Sequence, residues 1–129
     1  MSDDYSGSTS DALRKIVQNL DYSMPELRGV MIASADGLPV AHNFPASEAE
    51  RIAAMAATAI GLGGRIADRA DLGPLAEAVV RGSSGYLVVY ALGETAVLVL
   101  AGPADANLGL MRIEARKAAS SARPLLEAV

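Results

Sequence analysis

Few residues in this chain could carry covalent or acid–base chemistry. His42 is the only histidine, and cysteine is absent, which removes thiolate nucleophiles, thiolate-bound metals and disulfides together. Ser34 and Asp36 lie near His42 in sequence and would supply the other members of a nucleophile, base and orienting-acid set. They flank an Asp-Gly turn signal, however, where both residue types are expected for backbone reasons, so they read as turn residues. No carboxylate pair has metal-ligand spacing, so no zinc or calcium site and no cofactor is expected. The run Gly61-Leu62-Gly63-Gly64-Arg65 has the glycines of a phosphate loop but lacks its Gly-Lys-Ser/Thr ending, and it sits inside a helical pattern instead of after a strand. The chain is therefore not expected to be a P-loop GTPase, and no catalytic residue is assigned.

The spacing that remains informative suits protein binding. Ser47 with Glu50 forms a capping-box signature, and the helix it opens is expected to run to about Ala70. At about 100° per residue this helix separates into three faces. Ala49, Ala53, Ala56, Ile60 and Ala67 make a core face of small groups that lets the helix lie close on a sheet. Ile52, Ala59, Gly63, Ile66 and Ala70 make a flank that a second helix could cover, and they are the expected dimer contacts. The outer face mixes Arg51, Thr58, Arg65 and Arg69 with Met55 and Leu62, and reads either as a partner-docking surface or as an ordinary solvated face. Gly61, Gly63 and Gly64 each cost about 0.5–1 kcal/mol in a helix interior, which close helix packing could offset, or they mark a kink.

The elements that position this helix follow from periodicity. Ser2 to Thr9 is polar and expected to be a tail. Leu13, Ile16, Val17, Leu20 and Met24 share one helical face, with Ser10 as N-cap and Pro25 as stop. Leu27 to Ser34 reads as a strand, Asp36-Gly37 as a type I′ hairpin turn, and Leu38 to His42 as the return strand, held to a sheet edge by Pro39. After the long helix come strands Leu75 to Arg81, Tyr86 to Leu92 and Thr95 to Ala101, the last two apolar on both sides and so covered on both faces. A final helix from about Asn107 carries Leu108, Met111, Ala115, Ala118, Ala122 and Leu126 on one stripe, and Pro124 is expected to kink or end it. The result is an α-β-β-α-β-β-β-α domain of the α+β type: a five-stranded antiparallel sheet with the long helix on one face and two helices on the other.

Composition sets the bounds. The 129 residues suit one domain, 10–129. A net charge of −4 does not favour nucleic acid or anionic lipid. Met1-Ser2-Asp3-Asp4 is acidic where a secretory signal would be basic, and the apolar stretches fall short of the roughly 20 residues that span a bilayer. A cytoplasmic protein without membrane insertion is expected.

With that order in hand, the segments GVMIASADGL, AAMAATAIGLGGRIADRADLG, GYLVVYALGETAVLVLAG and ANLGLMRIEARKAA resemble the Roadblock and dynein light chain seven family, including bacterial members encoded beside Ras-like GTPases. The resemblance extends over nearly everything from Ser10 onward. It implies a profilin-like sandwich and a homodimer in which the long helices pair and the strand Leu75 to Arg81 joins its counterpart, adding Val79 and Arg81 to the dimer contacts. It implies a non-catalytic regulator or adaptor of a Ras-like small GTPase, and it does not make Arg51 or Arg65 an arginine finger. The alternatives are a dimerisation scaffold for a sensor kinase or another signalling complex and a small-molecule sensor, the latter disfavoured by the scarcity of aromatic residues.

Overall fold

A computed structural model describes residues 7–127. The elements are α1 (Gly7–Ser23), β1 (Gly29–Ser34), β2 (Pro39–His42), α2 (Ala46–Arg69), β3 (Ala78–Gly82), β4 (Gly85–Leu92), β5 (Ala96–Pro103) and α3 (Leu108–Glu127). They build one five-stranded sheet in the order β2-β1-β5-β4-β3, antiparallel throughout. The expected order and layering are those observed, and Pro39 does lie on an edge strand, where its missing amide hydrogen breaks no inner ladder.

Alternation along the central strands sorts side chains to the two faces. Val30 and Ile32 of β1 with Leu98 and Leu100 of β5 meet α1 and α3, joining Leu13, Val17, Met24, Met111 and Leu126 in the larger core. Met31 and Ala33 with Val97 and Val99 meet α2, whose contribution is Ala49, Ala53 and Ala56. Since β1 is buried on both faces, its near-continuous apolar sequence follows from its position.

Several boundaries differ from expectation for identifiable reasons. Helix α1 already includes residues 7–9 of the expected tail, and Ser10 lies inside it; the Ser/Thr run before Leu13 offers more than one start, and the rest of the tail lies outside the described residues. Helix α2 starts at Ala46 with Pro45 as N-cap and no side-chain cap, so the Ser47–Glu50 capping box does not form. Pro45 presets φ at −55°, and its carbonyl accepts from the amides of Glu48 and Ala49 at 2.9 and 3.1 Å, which leaves Ser47 within the first turn.

The hairpin turn is not type I′, because Asp36 does not take positive φ and Gly37 alone does, at 96°. The Gly37 amide donates to the Ser34 carbonyl at 3.0 Å and the Ser34 amide to that of Leu38 at 2.8 Å, which makes a three-residue connection closed by a left-handed glycine. Strand β3 begins at Ala78 instead of Leu75, since Leu75 folds under α2 instead of pairing with β4. Pro124 neither ends α3 nor is excluded from it. The carbonyl that loses its donor belongs to exposed Ser120, where water can replace it.

Candidate interaction surfaces

The residues first suspected of chemistry are not brought together. The hairpin register sets His42 opposite Met31, while Ser34 and Asp36 sit at the turn end. The Ser34 hydroxyl donates to the Asp36 carboxylate and accepts from the Leu38 amide at 3.0 Å, a turn-closing arrangement. Among the described residues no group of three or more metal-binding side chains is present, and no helix is long and apolar enough to cross a membrane.

Helix α2 is built the other way round from an ordinary surface helix. Its fully buried residues are all alanine, Ile52 and Ile60 are half-buried against the sheet side, and three of its large apolar residues face outward: Met55 is 62% exposed, Leu62 50% and Ile66 55%. With Ile52 and Ala59 they recur at alternating steps of three and four residues, the spacing of a seam between paired helices. Met55 and Leu62, expected on the docking face, thus share one stripe with Ala59 and Ile66, expected on the dimer flank. Two other flank residues turn partly inward: Ile52 packs against the α2-side core, and Gly63 faces Leu75, whose Cδ2 lies 3.0 Å from where a Cβ would stand. Gly63 therefore serves the close approach of its own chain. Gly61 and Gly64 face open space.

The cations divide similarly. Arg51 makes an exposed pair with Glu48 at 3.6 Å, worth little in water. Arg65 and Arg69 border an open recess of about 520 Å³ with Ile66 and Ala70. The Thr58 hydroxyl donates to the Ala54 carbonyl at 2.9 Å within the helix.

The end of α2 carries a feature that the sequence did not flag. The Leu72 amide donates to the Ala67 carbonyl and the Asp71 amide to that of Asp68, at 2.8 and 3.2 Å, which is a Schellman cap with Asp71 in the left-handed position at φ 60°. Leucine after such a cap commonly packs back on the helix, yet Leu72 is 70% exposed. Glycine is the usual signal for this motif, and an Asp there hides it.

Strand β3 is the sheet edge nearest this surface, with its outer side unpaired. Its register puts Val80 opposite Leu87 on the α2 face, and Val79 and Arg81 opposite Val88 and Tyr86 on the other. Val79 and Val80 are both exposed, and the Arg81 guanidinium lies 5.7 Å from the Tyr86 ring centre. An edge with exposed valines and unpaired amides is a template for another strand.

On the opposite face, Glu77 in the α2–β3 connection accepts two hydrogen bonds from Arg112 Nε, at 3.1 and 2.9 Å, and one from its Nη2 at 2.6 Å. Beside this pair burial, with help from the Glu77 charge, pushes the Tyr90 hydroxyl up to about 12. Sequence reasoning missed the cluster because its members are distant in the chain, and Arg112 looked like one of several solvated helix cations.

Comparison with known proteins matches the chain to the Roadblock/LC7 domain over residues 14–101. The uncharacterized protein MJ0310 of Methanocaldococcus jannaschii is 34% identical over 100 residues, 77% of this chain and 87% of that one. Among solved structures, a Roadblock/LC7 domain from Streptomyces avermitilis superposes with a TM-score of 0.83 at 24% identity, covering 88% of this chain and 97% of its own. The gliding protein MglB from Thermus thermophilus gives 0.84 at 19% identity, with 96% and 95% covered. An MglB with a tetrameric arrangement gives 0.85 at 20%, with 95% and 93% covered. These structures share the α-β-β-α-β-β-β-α fold, and the family match accounts for most of its length: the chain belongs to the Roadblock/LC7 domain family.

Proposed function

We propose that the chain is a homodimeric, non-catalytic regulator or adaptor of a Ras-like small GTPase. The observation that carries the reading is the run of exposed apolar side chains along α2, Met55, Leu62 and Ile66, adjoining the bare β3 edge. One large side chain in water needs no explanation, whereas a stripe at pairing distance beside an open strand does. Pairing α2 with its copy covers Met55, Ala59, Leu62 and Ile66, and pairing β3 with its copy satisfies the edge amides beside Val79 and Arg81. The tetrameric arrangement described for a structurally similar MglB supports self-association. The paired helices then leave Arg51, Thr58, Arg65 and Arg69 along the rim, where a partner can dock.

The test separates the two levels. Sedimentation of the purified protein should give twice the monomer mass, and Ala59→Arg should give monomers or insoluble protein, because a buried unpaired cation is expensive. An unchanged mass would remove the α2 seam from the dimer. The dimer should then bind a Ras-like GTPase encoded beside it in a nucleotide-dependent manner, with Arg65→Glu weakening that complex while leaving the mass intact. Absence of a complex with both GDP and a GTP analogue would end the GTPase reading and leave the dimer standing. Capture of a sensor kinase without any effect on nucleotide turnover would favour the scaffold role.

A further inference from the structure

On the sheet face opposite α2, Arg112, Arg116 and Arg123 follow one flank of α3, with the short side chains of Ala115 and Ala119 beneath them. They border a recess of about 260 Å³ whose other wall holds Tyr90 and Glu77. The Tyr90 hydroxyl is closed off from solvent, and no acceptor meets it in full hydrogen-bond geometry, although the Glu77 carboxylate is near enough to act on it through charge and a weak hydrogen bond. Since the phenol stays protonated, what it lacks is an acceptor in full hydrogen-bond geometry. Arg112 is engaged by Glu77, whereas Arg116 and Arg123 make no ion pair among the described residues, and the Arg116 charge reaches Tyr90. Both are exposed, as are most cations of this chain, and what sets them apart is that they stand with Arg112 beside the Tyr90 hydroxyl.

We infer that this recess binds a small oxyanion, a carboxylate- or phosphate-bearing molecule with a short aliphatic body. Every polar side chain lining it except Glu77 can donate a hydrogen bond, and donors of this kind are met together by a ligand with several charged oxygens. The lining methyl groups of Ala76, Ala91, Ala115 and Ala119 leave room for a small body and provide no flat surface for a base. The ligand reaches Tyr90 by displacing the Glu77 carboxylate from Arg112. Glu77 is thus an internal competitor, an acidic group of the chain itself occupying part of the site.

Malonate and inorganic phosphate are the probes, titrated into the isolated protein against sodium chloride at matched ionic strength, with arginine Nε–H and backbone resonances of α3 as the readout. Saturable shifts beyond those in chloride are expected for at least one probe, together with a higher melting temperature. Arg116→Gln should weaken binding about tenfold, Tyr90→Phe several-fold, and Glu77→Gln should tighten it by removing the competing charge. Circular dichroism checks that each variant is folded. Shifts no larger than those in chloride, or equal affinity in the wild type and in a folded Arg116→Gln Arg123→Gln variant, would overturn the inference. Because only the isolated protein is used, neither result depends on a GTPase partner.

Discussion

The α1/α3 side of the sheet is rich in leucine, isoleucine and methionine, including Leu13, Ile32, Leu98 and Met111, whereas the buried centre of the α2 side is alanine and valine around Met31, with Phe44, Ile52, Ile60 and Leu87 half-buried at its margin. The thick side also exposes large apolar residues, Tyr22 on α1 and Leu110 and Ile113 on α3, but they do not form one regular stripe along a helix. The thin side keeps its large residues, Met55, Leu62 and Ile66, for the outside. Burying one such side chain contributes about 1.5–3 kcal/mol. Helix α2 therefore gains little from its own sheet and has more to gain from a surface outside the chain. One face of the sheet makes most of the core, and the other carries a helix whose outer stripe, on the function proposed above, is covered by a second copy.

That comparison can be broken at either face. The largest effect is expected for Leu98→Ala in the thick core, which should cost about 2–5 kcal/mol in denaturant unfolding, because the cavity there has no easy way to close. Next comes Ala53→Leu, which puts a large side chain where α2 sits directly on the sheet. It should cost about 1–3 kcal/mol by overpacking, and a tolerated leucine would mean that the thin side is not tightly packed. Leu62→Glu should change the unfolding free energy of the monomer by less than about 0.5 kcal/mol, as surface substitutions do, while abolishing self-association in sedimentation. Gly61→Ala, whose new methyl group meets nothing in this chain, should stabilise α2 by about 0.5–1 kcal/mol.

A further expected effect is confined to alkali. Tyr90 has its pKa raised from 10.0 to about 12, so the unfolded chain releases this proton first as pH rises. Stability present below pH 10.0 is lost progressively toward about 12, and Tyr90→Phe should flatten that part of the pH profile.

Much of the architecture was readable because its signals are local. Alternation and helical periodicity placed every element, and Pro39 placed an edge. The errors came where a distant contact outweighed a local preference. Leu75 has strand neighbours in sequence but packs under α2 at Gly63, and the capping signature at Ser47 gave way to Pro45, which had already fixed the chain direction. Along α2 the exposed apolar stripe runs across the boundary drawn between the expected docking face and the expected dimer flank. A wheel assigns angles but not which side chains the rest of the chain covers, so Ile52 appeared free; Met55 and Ile66 stand only about 20° apart on it, and dividing them placed a boundary inside one stripe. The Glu77–Arg112–Tyr90 cluster had no local signal at all, since it depends on how α3 lies across β4.

The two ends of the sheet also bear on how far association can proceed. A pair joined at β3 presents β2 at both of its outer ends, each short and each carrying Pro39. Strand addition that starts at β3 is therefore used up by the first partner, and the joined sheet stops at a fixed number of strands. Raising the protein concentration should populate a closed particle of constant size, with no lag, no seeding and no growing fibre.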